Sequence, residues 1–124
     1  MIYNNNGYKI KYYKDFNTGK VPVKIYIDNL SEKEQAKIFK YLEYLKQSEG
    51  YLDEPYSRHI KGKIRELRVD FSNNRHRIFY FTFINKNIIL LHAFLKKTKK
   101  TPKREVKKAE GSYKQLIINK NVYE

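Results

Sequence analysis

Two arginines lie inside predicted β-strands, where a permanently charged side chain is unusual. Arg68 lies in the middle of one predicted strand, with Glu66 and Asp70 on the same face. Arg77 lies near the start of the next predicted strand and shares its face with three phenylalanines. Because a guanidinium group is planar and forks onto phosphate oxygens, both arginines are candidates for contacts to a scissile phosphate. The structural alternatives are a salt bridge from Arg68 to Glu66 or Asp70, and a strand end where Arg77 reaches solvent.

A histidine on the last predicted strand could move protons near these arginines. Alternation along that strand predicts that His92 shares a face with Ile88, Leu90 and Phe94. A lone histidine on an apolar face is more often a hydrogen-bonded core residue than a catalyst. Its ordinary pKa near neutrality nonetheless suits a general acid or base, so both readings stay open.

The chain becomes strongly basic directly after this strand, since eight of the thirteen residues 96–108 are Lys or Arg. A lysine beside other cations can have a lowered pKa, which makes Lys96 and Lys97 further candidates for proton transfer. A run of lysines is usually only a solvated face, but this one leads into a predicted helix N-terminus that also favours phosphate. The predicted contacts to RNA or the ribosome are Lys61, Lys63, Arg65, Arg75, Lys99, Lys100, Lys103, Arg104 and Lys107.

Charge and composition narrow the classes of partner. The chain has 124 residues and a formal net charge of +14, and residues 56–124 carry 18 of its 27 basic but only 5 of its 13 acidic side chains. Such a basic half predicts a polyanionic partner, nucleic acid before an anionic membrane surface. With no cysteine and three histidines outside metal-binding spacings, no metal or other cofactor is expected. No apolar run is long enough to span a membrane, which predicts a cytoplasmic protein.

The apolar patterns predict an α+β fold in the order β-α-α-β-β-β-α, an antiparallel-dominated twisted sheet with helices packed on it. Residues 51–62 are predicted to be loop. The last helix is expected to have Thr101 as its cap and Pro102 at its first position, with Gly111 as a weak point or end. We expect one domain over residues 1–124, with a core of about 8–117 and frayed residues 119–124. The predicted strands are 8–12, 64–71, 76–84 and 88–95, and the predicted helices begin at 22, 32 and 102.

Three blocks of this sequence resemble the signatures of a known family in their order and spacing. They are Ile64-Arg-Glu-Leu-Arg-Val69, Arg75-His-Arg-Ile-Phe-Tyr80 and Leu91-His-Ala-Phe-Leu-Lys-Lys-Thr-Lys-Lys-Thr-Pro102. The family is that of HigB-like toxins of the RelE superfamily, also described as phage-derived Gp49-like proteins. The resemblance extends over about residues 8–113 and implies a single RelE-like domain. The residue before the second arginine is His76, where the family more often has tyrosine.

The resemblance implies a toxin of a type II toxin–antitoxin system, a small endoribonuclease that cuts mRNA, usually in the ribosomal A site. Its implied partners are mRNA, the ribosome with its RNA, and a neutralising antitoxin, expected to be HigA-like with a helix-turn-helix domain. The family's two strand arginines fall on Arg68 and Arg77, and its L-H-x-F-x-K-K block places its other site residues on His92, Lys96 and Lys97.

The residues themselves point to the same reaction class. A set of Arg, His and Lys side chains suits metal-independent RNA cleavage by the 2′-hydroxyl, which leaves a 2′,3′-cyclic phosphate and a 5′-hydroxyl end. Arg68 and Arg77 would contact the phosphate, and His92 or one of Lys96 and Lys97 would move the protons. The alternative is a non-catalytic basic RNA- or DNA-binding protein of phage origin, which would bind with the same basic face without cutting.

Overall fold

The chain forms an α+β fold of five strands and three helices over the residues that the computed structural model describes, which are 6–123. This confirms the predicted fold class. The elements are β1 (Lys9–Tyr12), α1 (Pro22–Asp28), α2 (Glu32–Gln47), β2 (Ser57–Lys61), β3 (Ile64–Phe71), β4 (Asn74–Phe83), β5 (Asn87–Leu95) and α3 (Lys103–Ile118). Within this range no helix is both long and apolar enough to cross a membrane.

The strands form one mixed sheet in the order β1-β5-β4-β3-β2. Only β1 runs parallel to its neighbour β5, and the other pairs are antiparallel, as the sequence predicted. The prediction missed β2, which it assigned to the loop over residues 51–62. This edge strand is only five residues long and buries only Ser57 completely, so its hydrophobic pattern is weak.

The helices cover both faces of the sheet. On one face α1 and α2 pack against β3, β4 and β5, through buried residues such as Ile38, Leu42 and Leu67. On the other face Ala109 and Leu116 of α3 pack against Phe79 and other apolar residues of β4 and β5. The second face is the one on which Glu66, Arg68 and Arg77 lie. The start of α3 contacts this face, since Glu105 bonds to His92 and Thr101, just before the helix, bonds to Glu66.

The start of α3 differs from the prediction by one residue. The helix begins at Lys103 with Pro102 as its N-cap, and Thr101 does not cap it. The Thr101 hydroxyl instead donates to the Glu66 carboxylate, with Oγ1 and Oε2 3.3 Å apart. A buried acceptor is a stronger partner for this hydroxyl than exposed helix N–H groups, which water can satisfy. Gly111 is exposed and α3 continues past it to Ile118, so the glycine does not end the helix.

The segment after α3 has one buried side chain, Tyr123, whereas residues 120–122 are exposed, and the fraying of residues 119–124 stays a prediction. Tyr123 is buried, and its hydroxyl accepts from the Lys14 backbone N–H at 2.8 Å. Its carbonyl accepts from Lys11 Nζ and from Asn87 Nδ2, at 3.2 and 2.7 Å. The mostly polar sequence of this segment gave no indication of these contacts, which depend on one aromatic side chain. Glu124 lies outside the described residues.

Gly50 shows why the chain after α2 needs glycine. Its φ is +84°, and a Cβ atom there would overlap the Thr82 hydroxyl of β4. The Gly50 carbonyl accepts from the Tyr80 hydroxyl at 3.3 Å, which also contacts Ser57 Oγ at 2.8 Å. The end of α2 is thereby held against β4 and the start of β2.

A buried polar network connects α1, α2 and β4 on the first face. The start of α2 is capped by Ser31, whose hydroxyl oxygen accepts from the Glu34 backbone N–H. His76 Nε2 donates to Glu34 Oε2 at 2.6 Å, and the Tyr26 hydroxyl donates to His76 Nδ1 at 2.7 Å. The hydrogen bond from His76, followed by that from Ser31, lowers the pKa of Glu34 from 4.5 to about 2. Burial raises the pKa of Tyr26 to about 12.

Glu34→Gln should destabilise the protein and flatten its acid transition. A lowered carboxyl pKa contributes stability in full above pH 4.5, and this contribution is lost as the pH falls toward about 2. We expect the variant to lose roughly 1–3 kcal/mol of unfolding free energy at neutral pH, since a buried donor loses its charged acceptor. Urea unfolding measured between neutral pH and about pH 2 checks this, and the gap between the two proteins should narrow below pH 4.5. A constant gap across that range would contradict the assignment.

Candidate active site

The pairing of β3 with β4 places the two candidate arginines side by side. Arg68 lies directly opposite Arg77 in the antiparallel register, and both side chains lie on the face covered by α3. Glu66 and Asp70 share that face with Arg68, as strand alternation predicted. Two guanidinium groups at opposed positions repel each other, so the site needs counter-charges to hold them together.

Glu66 is the buried counter-charge of the site. Its side chain has 0% exposure, and its Oε1 lies 3.3 Å from Arg58 Nε and 3.9 Å from Arg68 Nε. These are ion-pair distances without the alignment of a hydrogen bond. Thr101 contacts both Glu66 and Arg58, because its hydroxyl also accepts from Arg58 Nη2 at 3.2 Å. One carboxylate thus holds together β2, β3 and the entry to α3.

Lys96 completes the cluster from the end of β5. Its backbone N–H donates to the Arg75 carbonyl at 2.8 Å, which extends the strand pairing by one residue. Only 6% of Lys96 is exposed. Burial lowers its pKa; the Glu66 carboxylate opposes this, and the charges of the neighbouring arginines lower it further. Lys97, the next residue, is exposed, so only one of the two predicted lysines lies in the cluster.

Arg77 is buried. The sequence left open whether this side chain reaches solvent at the strand end, and it does not. Its side chain is 1% exposed, and its Nη1 donates to Asp70 Oδ1 at 2.6 Å and to the His76 carbonyl at 3.0 Å. The side chain of Arg68 is 27% exposed. The Arg68 side chain is therefore open to a ligand, whereas Arg77 is buried and its guanidinium group pairs with Asp70.

The cluster has more cationic donors than its own acceptors satisfy. Four cations (Arg58, Arg68, Arg77 and Lys96) surround two carboxylates, Glu66 and Asp70, for a local net charge of +2. Among the described residues, the buried Nε atoms of all three arginines have no hydrogen-bond partner. Unmet donors on buried cations are costly, and an anion with several acceptor oxygens would satisfy them. Phosphate has that chemistry.

His92 lies on the same face as the cluster but in a separate contact group. A bulge in β5 pairs His92 with Phe79 and Leu90 with Tyr80. The predicted face was therefore wrong: His92 shares its face with Phe94 but not with Ile88 or Leu90, which pack on the opposite side. One extra residue in a strand reverses every side chain before or after it, and alternation alone cannot reveal this.

The imidazole of His92 is held by an aromatic ring and a carboxylate. Its ring stacks on Phe94 with centroids 5.9 Å apart, and its Nε2 donates to Glu105 Oε1 at 3.2 Å. Burial lowers the pKa of His92, the Glu105 carboxylate raises it in part, and Lys108 lowers it further. The neutral imidazole is therefore favoured at neutral pH. Phe94, which lies opposite Arg77, separates His92 from the cluster along β5.

The predicted RNA-contacting cations divide into groups. Arg75 is exposed beside the cluster, and Lys61 and Lys63 are exposed at the turn between β2 and β3, where Lys61 pairs with Glu110 at 3.0 Å. Arg65 lies on the opposite face, over the Tyr51 ring at 4.4 Å, and is not part of this surface. The exposed residues around the start of α3 are Lys97, Lys99, Lys100, Lys103, Arg104 and Lys107.

Sequence reasoning missed three residues that shape the site: Arg58, Thr101 and Glu105. It named Glu66 only as a salt-bridge alternative for Arg68, and the structure contains that pair, with Arg68 Nε 3.9 Å from Glu66 Oε1. Arg58 had no signal, since its strand was assigned to a loop. Thr101 and Glu105 come from the start of α3, and only the packing of that helix on the sheet brings them to the strands.

The comparisons with known proteins give one match. Residues 25–114 match the family model described as phage derived protein Gp49-like (DUF891). The matched range begins in α1, contains the whole of β2 to β5, and ends in α3, so it includes every residue of the cluster. A search of curated proteins found no significant match.

Glu66→Gln should lower the unfolding free energy strongly, because it leaves the buried cations without their shared counter-charge. We expect a loss of roughly 3–5 kcal/mol, the usual cost of breaking a buried ion pair from one side. Adding Lys96→Met to this variant should restore part of the lost unfolding free energy, because it removes one of the buried cations left without a counter-charge. Glu43→Gln is the matched control: its pair with Lys46 is partly exposed, and its loss should cost at most about 0.5 kcal/mol. Equal effects of the two glutamine substitutions in urea unfolding would contradict the role given to Glu66.

Two substitutions on α3 should move the pKa of His92 in opposite directions. Glu105→Gln removes the carboxylate that raises this pKa, so the value should fall further. Lys108→Ala removes a cation that lowers the pKa, so the value should rise. An NMR titration of the imidazole resonances measures both. A shift in the same direction for the two variants would mean that helix packing, rather than charge, controls His92.

Proposed function

Because the chain belongs to the phage-derived Gp49-like family, a family of RelE- and HigB-like toxins, we propose that it is the toxin of a type II toxin–antitoxin pair and acts as a metal-independent endoribonuclease on mRNA. Membership of this family is consistent with a toxin, and RNA cleavage is our proposal beyond that. The observation that carries this step is the cationic cluster, with its net positive charge and three buried guanidinium Nε atoms that have no hydrogen-bond partner among the described residues.

The cluster is suited to the charge that develops when RNA is cleaved by its own 2′-hydroxyl. A base removes the 2′-hydroxyl proton, the 2′-oxygen forms a bond to phosphorus, and the bond from phosphorus to the 5′-oxygen breaks. The products are a 2′,3′-cyclic phosphate and, after an acid protonates the leaving oxygen, a 5′-hydroxyl. Arg68 would contact the phosphate oxygens, and Arg77 and Lys96 would stabilise the added negative charge from within the protein. Such stabilisation is commonly the largest single term in catalysis.

The proton carriers of this proposal are His92 and the lysine pair. A lowered pKa keeps the His92 imidazole neutral at neutral pH, which suits a base, and Glu105 would stabilise the imidazolium after proton uptake. Lys96 has a lowered pKa and lies inside the cluster, so its ammonium group is suited to protonate the leaving oxygen. Lys97 is exposed next to it and is the alternative donor.

Docking on the ribosome would depend on the exposed basic residues around the start of α3. These six exposed side chains follow Lys96 of the cluster in the chain and would contact ribosomal RNA or the mRNA backbone. The proposed protein partner is a HigA-like antitoxin with a helix-turn-helix domain. Because phosphate contacts dominate such docking, affinity for RNA should fall steeply with salt.

Purified protein incubated with mRNA, alone and on programmed ribosomes, should produce new 5′ ends that can be mapped. Arg68→Ala should reduce the cleavage rate by roughly 100- to 1,000-fold, as loss of a well-placed donor to a developing oxyanion does. Arg77→Met, which keeps much of the side-chain volume, should also lower it. Lys24→Ala is the control, because Lys24 is exposed on α1 and pairs with Asp28 of the same helix. Thermal unfolding of each variant separates loss of activity from loss of fold.

The outcomes distinguish the two candidate functions. Cuts only on ribosomes, lost with Arg68→Ala, support a ribosome-dependent toxin, and cuts on free RNA support the nuclease without that dependence. Salt-sensitive RNA binding without any cut would favour the non-catalytic binding protein. Unchanged cleavage in both arginine variants would show that the cluster is not the active site.

A further inference from the structure

Four tyrosines that the proposed reaction does not use lie on α2 and in the segment that leads from α2 to β2. We name Tyr41, Tyr44, Tyr51 and Tyr56 the tyrosine surface; ring contacts join Tyr41, Tyr44 and Tyr56, and Tyr51 lies in the same connecting segment as Tyr56. The exposed fractions of Tyr44, Tyr51 and Tyr56 are 41%, 58% and 44%, and Tyr41 is half-buried between two of them. The ring of Tyr41 lies 5.7 Å from those of both Tyr44 and Tyr56. Large rings left this open contribute little to the core.

Three of the four rings have a cation near the ring centre. Lys37 Nζ and Lys40 Nζ lie 5.7 and 5.9 Å from the ring centres of Tyr41 and Tyr44. The Arg65 guanidinium lies 4.4 Å from the centre of the Tyr51 ring. Aromatic rings that alternate with cations are the usual composition of a surface for single-stranded nucleic acid, since the rings stack on bases and the cations follow the backbone.

The tyrosine surface is joined to the candidate active site around the β2 edge. The Tyr56 carbonyl accepts from the Arg68 backbone N–H at 2.8 Å, and Arg58 follows two residues later. The Lys37 ammonium group donates to the carbonyl of Asp70, the residue that pairs with Arg77. A strand of RNA with its phosphate at Arg68 could therefore continue over this edge onto the rings.

Acidic residues restrict the path of the backbone. Asp53 and Glu54 lie in the loop between Tyr51 and Tyr56, and Glu43 is on α2. Phosphates would be repelled near this loop, whereas uncharged base faces would not. The Lys37, Lys40 and Arg58 side chains mark the route on which phosphates are favoured.

We propose that the tyrosine surface stacks on the unpaired bases of single-stranded RNA next to the cleaved bond and so positions that bond at Arg68. This inference rests on the proposed function, because it identifies the substrate of that site as unstacked, single-stranded RNA. Stacking is tolerant of sequence, since every base has an aromatic face. The surface would add affinity and alignment rather than codon preference.

The test uses an oligonucleotide of about ten nucleotides in 2′-deoxy form, which the protein can bind but not cleave through a 2′-hydroxyl. Binding is measured to this probe and to mRNA-programmed ribosomes. Tyr44→Leu and Tyr56→Leu should each weaken binding to the probe by roughly five- to 100-fold, the usual effect of losing one stacked base. Tyr44→Phe and Tyr56→Phe keep the ring and should stay within about twofold of the parent.

Two comparisons separate stacking from other causes. An abasic site in the probe should abolish the loss caused by the leucine substitution that faces it, because there is then no base to stack. Tyr→Leu should leave the salt dependence of binding unchanged, whereas Lys40→Ala should reduce it. Phe16→Leu is the control for an exposed ring elsewhere, since Phe16 borders a groove of about 400 Å³ beside the end of α3.

The outcomes of this inference and of the proposed function differ. Normal binding and cleavage by the leucine variants would overturn the inference and leave the nuclease intact. If the parent protein binds the probe but never cleaves RNA, and the leucine variants bind the probe more weakly, the inference is supported and the nuclease is rejected. Leucine variants that bind RNA normally but lose a co-expressed protein partner would show a protein interface and overturn the inference. No binding of probe or ribosome by the parent would overturn both.

Discussion

The candidate site depends on one carboxylate without contact to water. Glu66 lies among three cations, Arg58, Arg68 and Lys96, that would otherwise repel each other, and these cations come from three different strands or strand ends. A buried carboxylate is favourable only if its partners are close, so each cation near it is restricted as well. The same restriction leaves a net positive charge and several unmet N–H donors. The packing of these strands and the positive charge of the candidate site thus have the same origin.

This constraint explains the roles of β2 and of the start of α3. An edge strand of five residues adds little to the core, yet it is the element that brings Arg58 to Glu66. Thr101 leaves the helix without a side-chain cap and bonds to Glu66 instead. The short edge strand and the missing side-chain cap each depart from what local stability favours, and both departures bring a partner to Glu66. Such departures are common at functional sites.

Much of the fold and part of the site could be predicted from the sequence. Strong periodicity identified the three helices, four of the five strands, and the shared face of Glu66, Arg68 and Asp70. Prediction failed where the signal was weak or local: the bulge that turns His92 and the short strand with Arg58. The burial of Arg77 depends on Asp70, which lies across the turn and is adjacent only after the strands have paired.

Helix α3 is attached at both ends. At its start, Thr101 and Glu105 bond to Glu66 and His92. After its end, Tyr123 bonds to Lys11, Lys14 and Asn87. Helix α3 is therefore held at one end by the candidate site and at the other by the N-terminal part of the chain. A fused tag that pulled Tyr123 out of its contacts would release the second attachment. The helix that supplies Glu105 to His92 would then be held at its first turn alone among these contacts.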